Sequence, residues 1–190
     1  EKVSQETARE KLGLAEYGRI VLFFGFIRKY KGLDMLLDAM KMVKDLQQQK
    51  GTEPVYLVVA GEFYEDARPC LDQIAQNNIS DTVILKTAFV PDSEVKYYLC
   101  AADVVVQPYR NATQSGVTPL AYHFERPMIV TNVGGLTAMV PDGIVGLVAE
   151  ADSRSLAEKI MQFFETGADH FVPGLQEEKK KYTWDKIANA

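Results

Sequence analysis

The chain has 190 residues, 47% hydrophobic and 25% charged, the proportions of an ordinary globular domain with a buried core. Its 21 basic and 26 acidic side chains leave a formal charge of −5, which excludes the net basic face of a general nucleic-acid binder but allows a local basic pocket. Cys70 and Cys100 are too few for a disulfide framework or a zinc site, and no apolar run reaches the ~20 residues of a bilayer span.

In chain order, Glu1–Leu12 reads as a polar lead-in helix. Strands are predicted at Arg19–Phe24, Val55–Ala60, Val83–Lys86, Asp103–Val106, Met128–Thr131 and Gly146–Ala149. Several are apolar on both faces, as in Leu57-Val58-Val59-Ala60 and Val104-Val105-Val106, which suits a parallel sheet covered on both sides. Between them run amphipathic helices. Leu33, Leu36, Leu37, Met40, Val43 and Leu46 form one apolar stripe; Val95, Tyr98, Leu99 and Ala102 form a second, opened by Pro91-Asp92. Leu156, Ile160, Phe163 and Phe164 form a third, with Asp152 or Ser153 as its N-cap. His170–Ala190 is a charged tail that holds the single tryptophan, Trp184.

Repeated βα units predict an α/β fold, a doubly wound Rossmann-like parallel sheet of about six strands. Ligands of such sheets bind where strands end, near the reversal in strand order. Three loops leave strand ends with suitable chemistry. Gly25 to Gly32 carries Arg28, Lys29 and Lys31, cations able to neutralise a diphosphate. Its glycine spacing fits neither a Walker loop nor a dinucleotide fingerprint, and a solvated basic loop is the plain alternative. Gln107 to Val117 enters a helix that reaches about Phe124, with Thr113 or Ser115 as cap, so its free N–H groups form an anion site or simply a capped loop. Asn132-Val133-Gly134-Gly135 permits close backbone approach or merely a turn. His123 and His170 lack partners nearby in sequence and are not nominated as bases.

The ordered set, over nearly the whole chain, resembles the C-terminal domain of the group 1 (family 4) retaining glycosyltransferases of GT-B fold. The residues that carry it begin with Gly25 to Lys31-Gly32, followed by Leu36-Leu37-Asp38-Ala39, and Val58-Val59-Ala60-Gly61-Glu62. They continue through Phe89-Val90-Pro91-Asp92, Ala101-Ala102-Asp103-Val104, Pro127, Gly134-Gly135, Asp142-Gly143 and Gly146-Leu147-Val148, and end at Lys181-Tyr182-Thr183-Trp184. The resemblance implies a donor-binding domain for a nucleotide-diphosphate sugar. Arg28 and Lys31 would bind the diphosphate, with Gly25 and Gly61 at the strand ends. Thr113, Gln114, Ser115, Gly116 and Val117 would hold the distal phosphate and sugar, and Phe89 and Val90 would flank the base.

It also implies transfer without a metal or other cofactor; the chain has no Asp-x-Asp motif. Residues 1–14 would lead in from a missing N-terminal domain that binds an acceptor sugar or lipid-linked glycan, and 170–190 would return to it as a helix. The whole enzyme is expected in the cytoplasm, with peripheral association at the inner face of the membrane, and no nucleic acid as partner. Family glutamates fall at Ala112, Leu120 and Ala138 in this chain, so donor binding is better supported than catalysis and no catalytic residue is nominated. A non-catalytic nucleotide-sugar-binding module is the alternative. A sugar-nucleotide epimerase would need more acidic and histidine residues than the chain offers.

Overall fold

The computed structural model describes residues 1–182. Six strands, β1 (Arg19–Phe24), β2 (Val55–Ala60), β3 (Val83–Lys86), β4 (Val104–Gln107), β5 (Met128–Thr131) and β6 (Gly146–Ala149), form one fully parallel sheet in the order β3-β2-β1-β4-β5-β6. The helices are α1 (Gln5–Leu12), α2 (Leu33–Lys50), α3 (Arg68–Gln76), α4 (Asp92–Ala101), α5 (Val117–His123), α6 (Leu136–Met139), α7 (Ser153–Thr166) and α8 (Val172–Lys179). The expected α/β doubly wound sheet of about six strands is therefore the observed one.

The strands hold because both faces are covered. All four residues of β4 and of β5 are buried, as are five of the six in β2, so the continuous β-branched runs meet side chains above and below. The stripe of α2 buries Leu36, Leu37, Met40 and Val43 and packs against α3 and α7; α1 packs against α4, and α8 against α5. Starting at β1, the chain winds outward to β3, crosses back, and continues from β4 to β6. With right-handed crossovers, that reversal puts successive helices on opposite faces and opens a crevice between the carboxyl ends of β1 and β4.

The capping chemistry follows the sequence. Asp152 accepts from the Ser155 amide at 2.7 Å and starts α7; Ser4 accepts from the Thr7 amide at 3.1 Å and starts α1. Gly32 starts α2 with φ +69°, and a Cβ there would collide with the Pro108 carbonyl oxygen. Only glycine fits a left-handed residue at that close approach.

Three details differ from the sequence reading. The fourth strand begins at Val104 rather than Asp103, whose carboxylate is a brace. It accepts from the Ile20 amide at 2.7 Å, from Arg9 at 3.1 Å and from Gln5 at 3.2 Å, tying β1, β4 and α1 together. The stretch from Arg68 to Gln76 forms a helix that its short apolar stripe, with Ile74 alone buried, did not announce. The charged tail, expected as a helix over 170–190, is helical at α8, and what the charge pattern did not show is that it buries Leu175 and the preceding Phe171. Thr183, Trp184 and the segment onward to Ala190, where the returning helix was expected, lie outside the described residues.

Asp103→Ala should lower the free energy of unfolding by about 2 kcal/mol, because it orphans a strand amide and two side-chain donors at once. Asp103→Asn, which keeps an acceptor for the Ile20 amide, should lose less. Urea unfolding of the three proteins side by side measures both, and equal stability of all three would show that the brace is ornamental.

Candidate functional site

The loops nominated from the sequence gather at the carboxyl edge of the sheet. After β1 the chain bends at Gly25, runs extended to Arg28 and makes a single 3-10 turn at Lys29–Lys31 before α2 begins. That turn folds the Lys31 side chain back over its own strand. Its Nζ lies 3.2 Å from where a Cβ on Gly25 would stand, and a Val117 methyl lies 3.8 Å from the same point. The first and second loops thus meet at Lys31, in the crevice between β1 and β4. The ammonium is half-buried, and its pKa is lowered, first by burial and then by the nearby Arg28 charge. It sits 6.0 Å from the centre of the Tyr109 ring. A half-buried cation with no carboxylate partner among the described residues is under-compensated, and an anion arriving there would gain more than at an exposed lysine.

The loops are braced so that they cannot drift apart. Arg110 forms a two-pronged ion pair with Asp34 at 2.6 and 2.8 Å, and its backbone N–H donates to the Tyr30 carbonyl at 2.7 Å. Burial would raise the Asp34 pKa, but the Arg110 hydrogen bonds outweigh it and hold that carboxyl below its ordinary value. Gly61, at the end of β2 with φ +139°, packs on the Gly25 carbonyl so closely that any side chain would clash. The Gly135 amide donates to the Ala112 carbonyl at 3.1 Å, fixing the third loop to the second.

A cleft of about 680 Å³ opens at Gly25; Lys31 lies next to Gly25 but is not among the residues that line the cleft. The cleft is lined by Gly25, Phe26, Gly61, Phe89 and Val90 together with side chains of α4 and α5. Phe89 is 68% exposed and Phe26 51% exposed, two aromatic residues on the lining of the cleft. Gly25, Gly61, Phe89 and Val90, all nominated from the sequence, therefore share one cavity.

The others are placed differently. Arg28 stacks its guanidinium 4.0 Å over the Tyr64 ring and lines two smaller hollows on the far side of the loop, not the main cleft. Thr113, Gln114 and Gly116 form an exposed rim. Gly116 is the N-cap position of α5, and the buried Ser115 beside it, not Thr113, takes up an amide at the helix start: its Oγ accepts from Val117 N–H at 3.1 Å and lies 3.4 Å from the Tyr109 hydroxyl. With one amide already taken and only seven residues in α5, the helix start contributes less positive potential than the sequence suggested, and Lys31 carries more.

Sequence reasoning overlooked what the helices add to the cleft: Asp92, Ser93 and Lys96 from α4, and Leu120, His123 and Phe124 at the end of α5. The signal was present, since Val117, Leu120 and His123 or Phe124 recur at helical spacing, but the same stripe reads equally as core. His123 is thus a cleft residue, exposed at its ring; burial, then the Lys179 charge, lower its pKa, and its carbonyl accepts from Lys179 at 3.3 Å. Glu62 lines the β2 side. Among the described residues no cluster of three His, Cys, Asp or Glu side chains could hold a metal ion, and no helix is long and apolar enough to cross a membrane.

Comparison with known proteins gives this arrangement a lineage. The D-inositol 3-phosphate glycosyltransferase of Nocardioides sp. is 27% identical over 195 aligned positions, which take in 97% of this chain and 43% of that one. Anabaena Alr3699/HepE, solved in complex with UDP-glucose, has the same fold, with a TM-score of 0.84 at 18% identity over 99% of this chain and 52% of its own. The C-terminal domain of a group 1 glycosyl transferase from Francisella tularensis gives a TM-score of 0.78 at 17% identity, with 97% of this chain and 94% of that domain superposed. This chain spans about half the length, or less, of the full-length proteins it matches. The family model described as "Glycosyl transferases group 1" matches residues 18–166, and the chain belongs to that family.

Proposed function

We propose that this chain is the donor half of a glycosyltransferase, holding a nucleotide-diphosphate sugar for transfer that keeps the anomeric configuration and uses no metal. The observation that carries the reading is the half-buried Lys31 ammonium, set between Gly25 and Val117 at the reversal of the sheet and next to an aromatic-lined cleft. A diphosphate placed at Lys31 would leave its nucleoside to run along the cleft toward Phe89 and Val90. The UDP-glucose complex of Anabaena HepE supports a nucleotide sugar as the donor class.

Departure of the diphosphate concentrates negative charge on the leaving group while the sugar ring becomes positive. A cation already fixed where that charge develops stabilises it without reorganisation. Lys31 is such a cation, and Arg28 is a second within reach of the same loop, its guanidinium resting on Tyr64. The distal sugar would lie toward the rim at residues 113–116, and the acceptor would come from a preceding domain. Retention of configuration is carried over from the family resemblance, as is peripheral attachment of the whole enzyme to the cytoplasmic face of a membrane.

One observation favours the narrower role of a binding module without chemistry of its own. At the three positions where the family carries glutamate, this structure has Ala112, whose carbonyl is tied to Gly135; Leu120, on the cleft wall; and Ala138, exposed on α6. None can hold a sugar hydroxyl or balance a positive ring.

Lys31→Ala should weaken nucleoside-diphosphate binding roughly 10- to 150-fold, the worth of one charge-assisted hydrogen bond, and leave the bare nucleoside nearly unaffected. Stability should stay level or rise slightly, because the folded state holds this charge at a cost. Lys29→Ala, at an exposed position on the same turn, should do little; equal losses from both would indicate diffuse attraction and no site. Titrating the same diphosphates by calorimetry with and without EDTA should give one affinity. A large loss under EDTA would overturn the metal-free reading.

A further inference from the structure

Three consecutive residues past β4 are set against three consecutive residues of the first loop. The Pro108 carbonyl oxygen packs on Gly32 at the left-handed start of α2. The Arg110 amide donates to the Tyr30 carbonyl at 2.7 Å. Between these two contacts the Tyr109 ring meets the Tyr30 ring edge-on, with centroids 6.1 Å apart, and lies under the Lys31 ammonium, 6.0 Å from Nζ to the ring centre. Tyr109 and Lys31 differ in freedom. Tyr109 is 3% exposed, its carbonyl accepts from the Thr131 hydroxyl at 2.6 Å, and its own hydroxyl lies 3.4 Å from Ser115 Oγ. The ring is therefore held from β5, from the first loop and from the start of α5 at once. Lys31 is a flexible four-carbon chain with no carboxylate partner among the described residues, and the Arg28 charge repels it. The electron-rich face of the ring attracts it, modestly at this distance, so the weight of the contact is geometric: a fixed wall limits where a mobile cation can point.

We infer that Tyr109 is a positioning residue of the donor site: its buried ring seats the Lys31 ammonium over Gly25, so that the cation faces the crevice before any diphosphate arrives. This rests on the donor-binding reading above. The physical reason is preorganisation. A lysine chain free to turn must be ordered when the anion binds, and that entropy is subtracted from the affinity; a chain already confined against a fixed ring has less left to lose. Tyr109 acts through Lys31 and touches no ligand itself.

ADP, GDP and UDP are titrated by calorimetry into the unaltered chain, and the tightest of them is carried through a double-mutant cycle of Tyr109 and Lys31. Tyr109→Leu should weaken binding about 3- to 10-fold, the cost of ordering one released lysine side chain. Tyr109→Phe keeps the ring and should bind within about twofold of the unaltered chain. In the Lys31→Ala background, Tyr109→Leu should weaken binding by less than about twofold more, because no ammonium is left to position. A tyrosine with a merely structural role would give the same loss in both backgrounds, and that additivity would overturn the inference. No loss from Tyr109→Leu would do the same. So would an equal loss from Tyr109→Phe, which would assign the effect to the hydroxyl and Ser115. Thermal unfolding shows which variants are folded, and Tyr109→Met, longer and still apolar, takes the place of the leucine variant if that one is not. Failure of all three diphosphates to bind the unaltered chain would overturn the donor-binding reading and this inference with it; every other outcome bears on the ring alone.

Discussion

Parallel pairing of β1 with β2 on one side and β4 on the other is the constraint on which the rest of this molecule depends. Because every strand runs the same way, every loop that follows a strand emerges at one edge. Because the winding reverses at β1, the loops after β1 and β4 part company and leave a crevice. The Asp103 brace holds that pair of strands at the opposite edge, where it accepts from the amide of Ile20 and from two side chains of α1. Chemistry at one edge and bracing at the other can therefore vary independently.

Close backbone packing then sharpens the crevice. Gly61 against the Gly25 carbonyl and Gly32 against the Pro108 carbonyl bring neighbouring loops nearer than any side chain would allow. The Asp34–Arg110 pair ties α2 to the second loop. Lys31 is left as a half-buried cation facing the gap, and its lowered pKa records the cost of holding charge there. An anion is the natural complement, which is why a diphosphate is proposed here.

The pattern of missing carboxylates gives the site its individual character. On the donor-binding reading proposed above, a family member that keeps the fold and the lysine yet shows methyl groups at Ala112, Leu120 and Ala138 would have kept phosphate recognition and altered sugar recognition. On that reading the two functions would be separable because they use different loops: the phosphate would sit over the turn from β1 into α2, and the sugars against the second and third loops.

By itself, the sequence determined the fold and one edge of the site. Short β-branched runs such as Val104-Val105-Val106 favour strands buried on both faces, and the longer stripes between them favour helices packed on a sheet, so the alternation of the two points to the architecture. Gly25 and Lys31 were legible because they lie in the loop that leaves β1 at the carboxyl edge, whereas Gly61, Phe89 and Val90 came through the family resemblance. Tertiary structure decided what periodicity cannot express. Leu120 and His123 belong to a stripe that looks like core, and only the position of α5 at the end of the crevice turns that stripe into a cleft wall. Arg28 and Lys31 are three residues apart with the same charge, yet the turn at Lys29–Lys31 sends one ammonium back over Gly25 and leaves the guanidinium on Tyr64. Which way a side chain leaves a turn depends on backbone angles and on neighbours distant in sequence, and no window along the chain contains them.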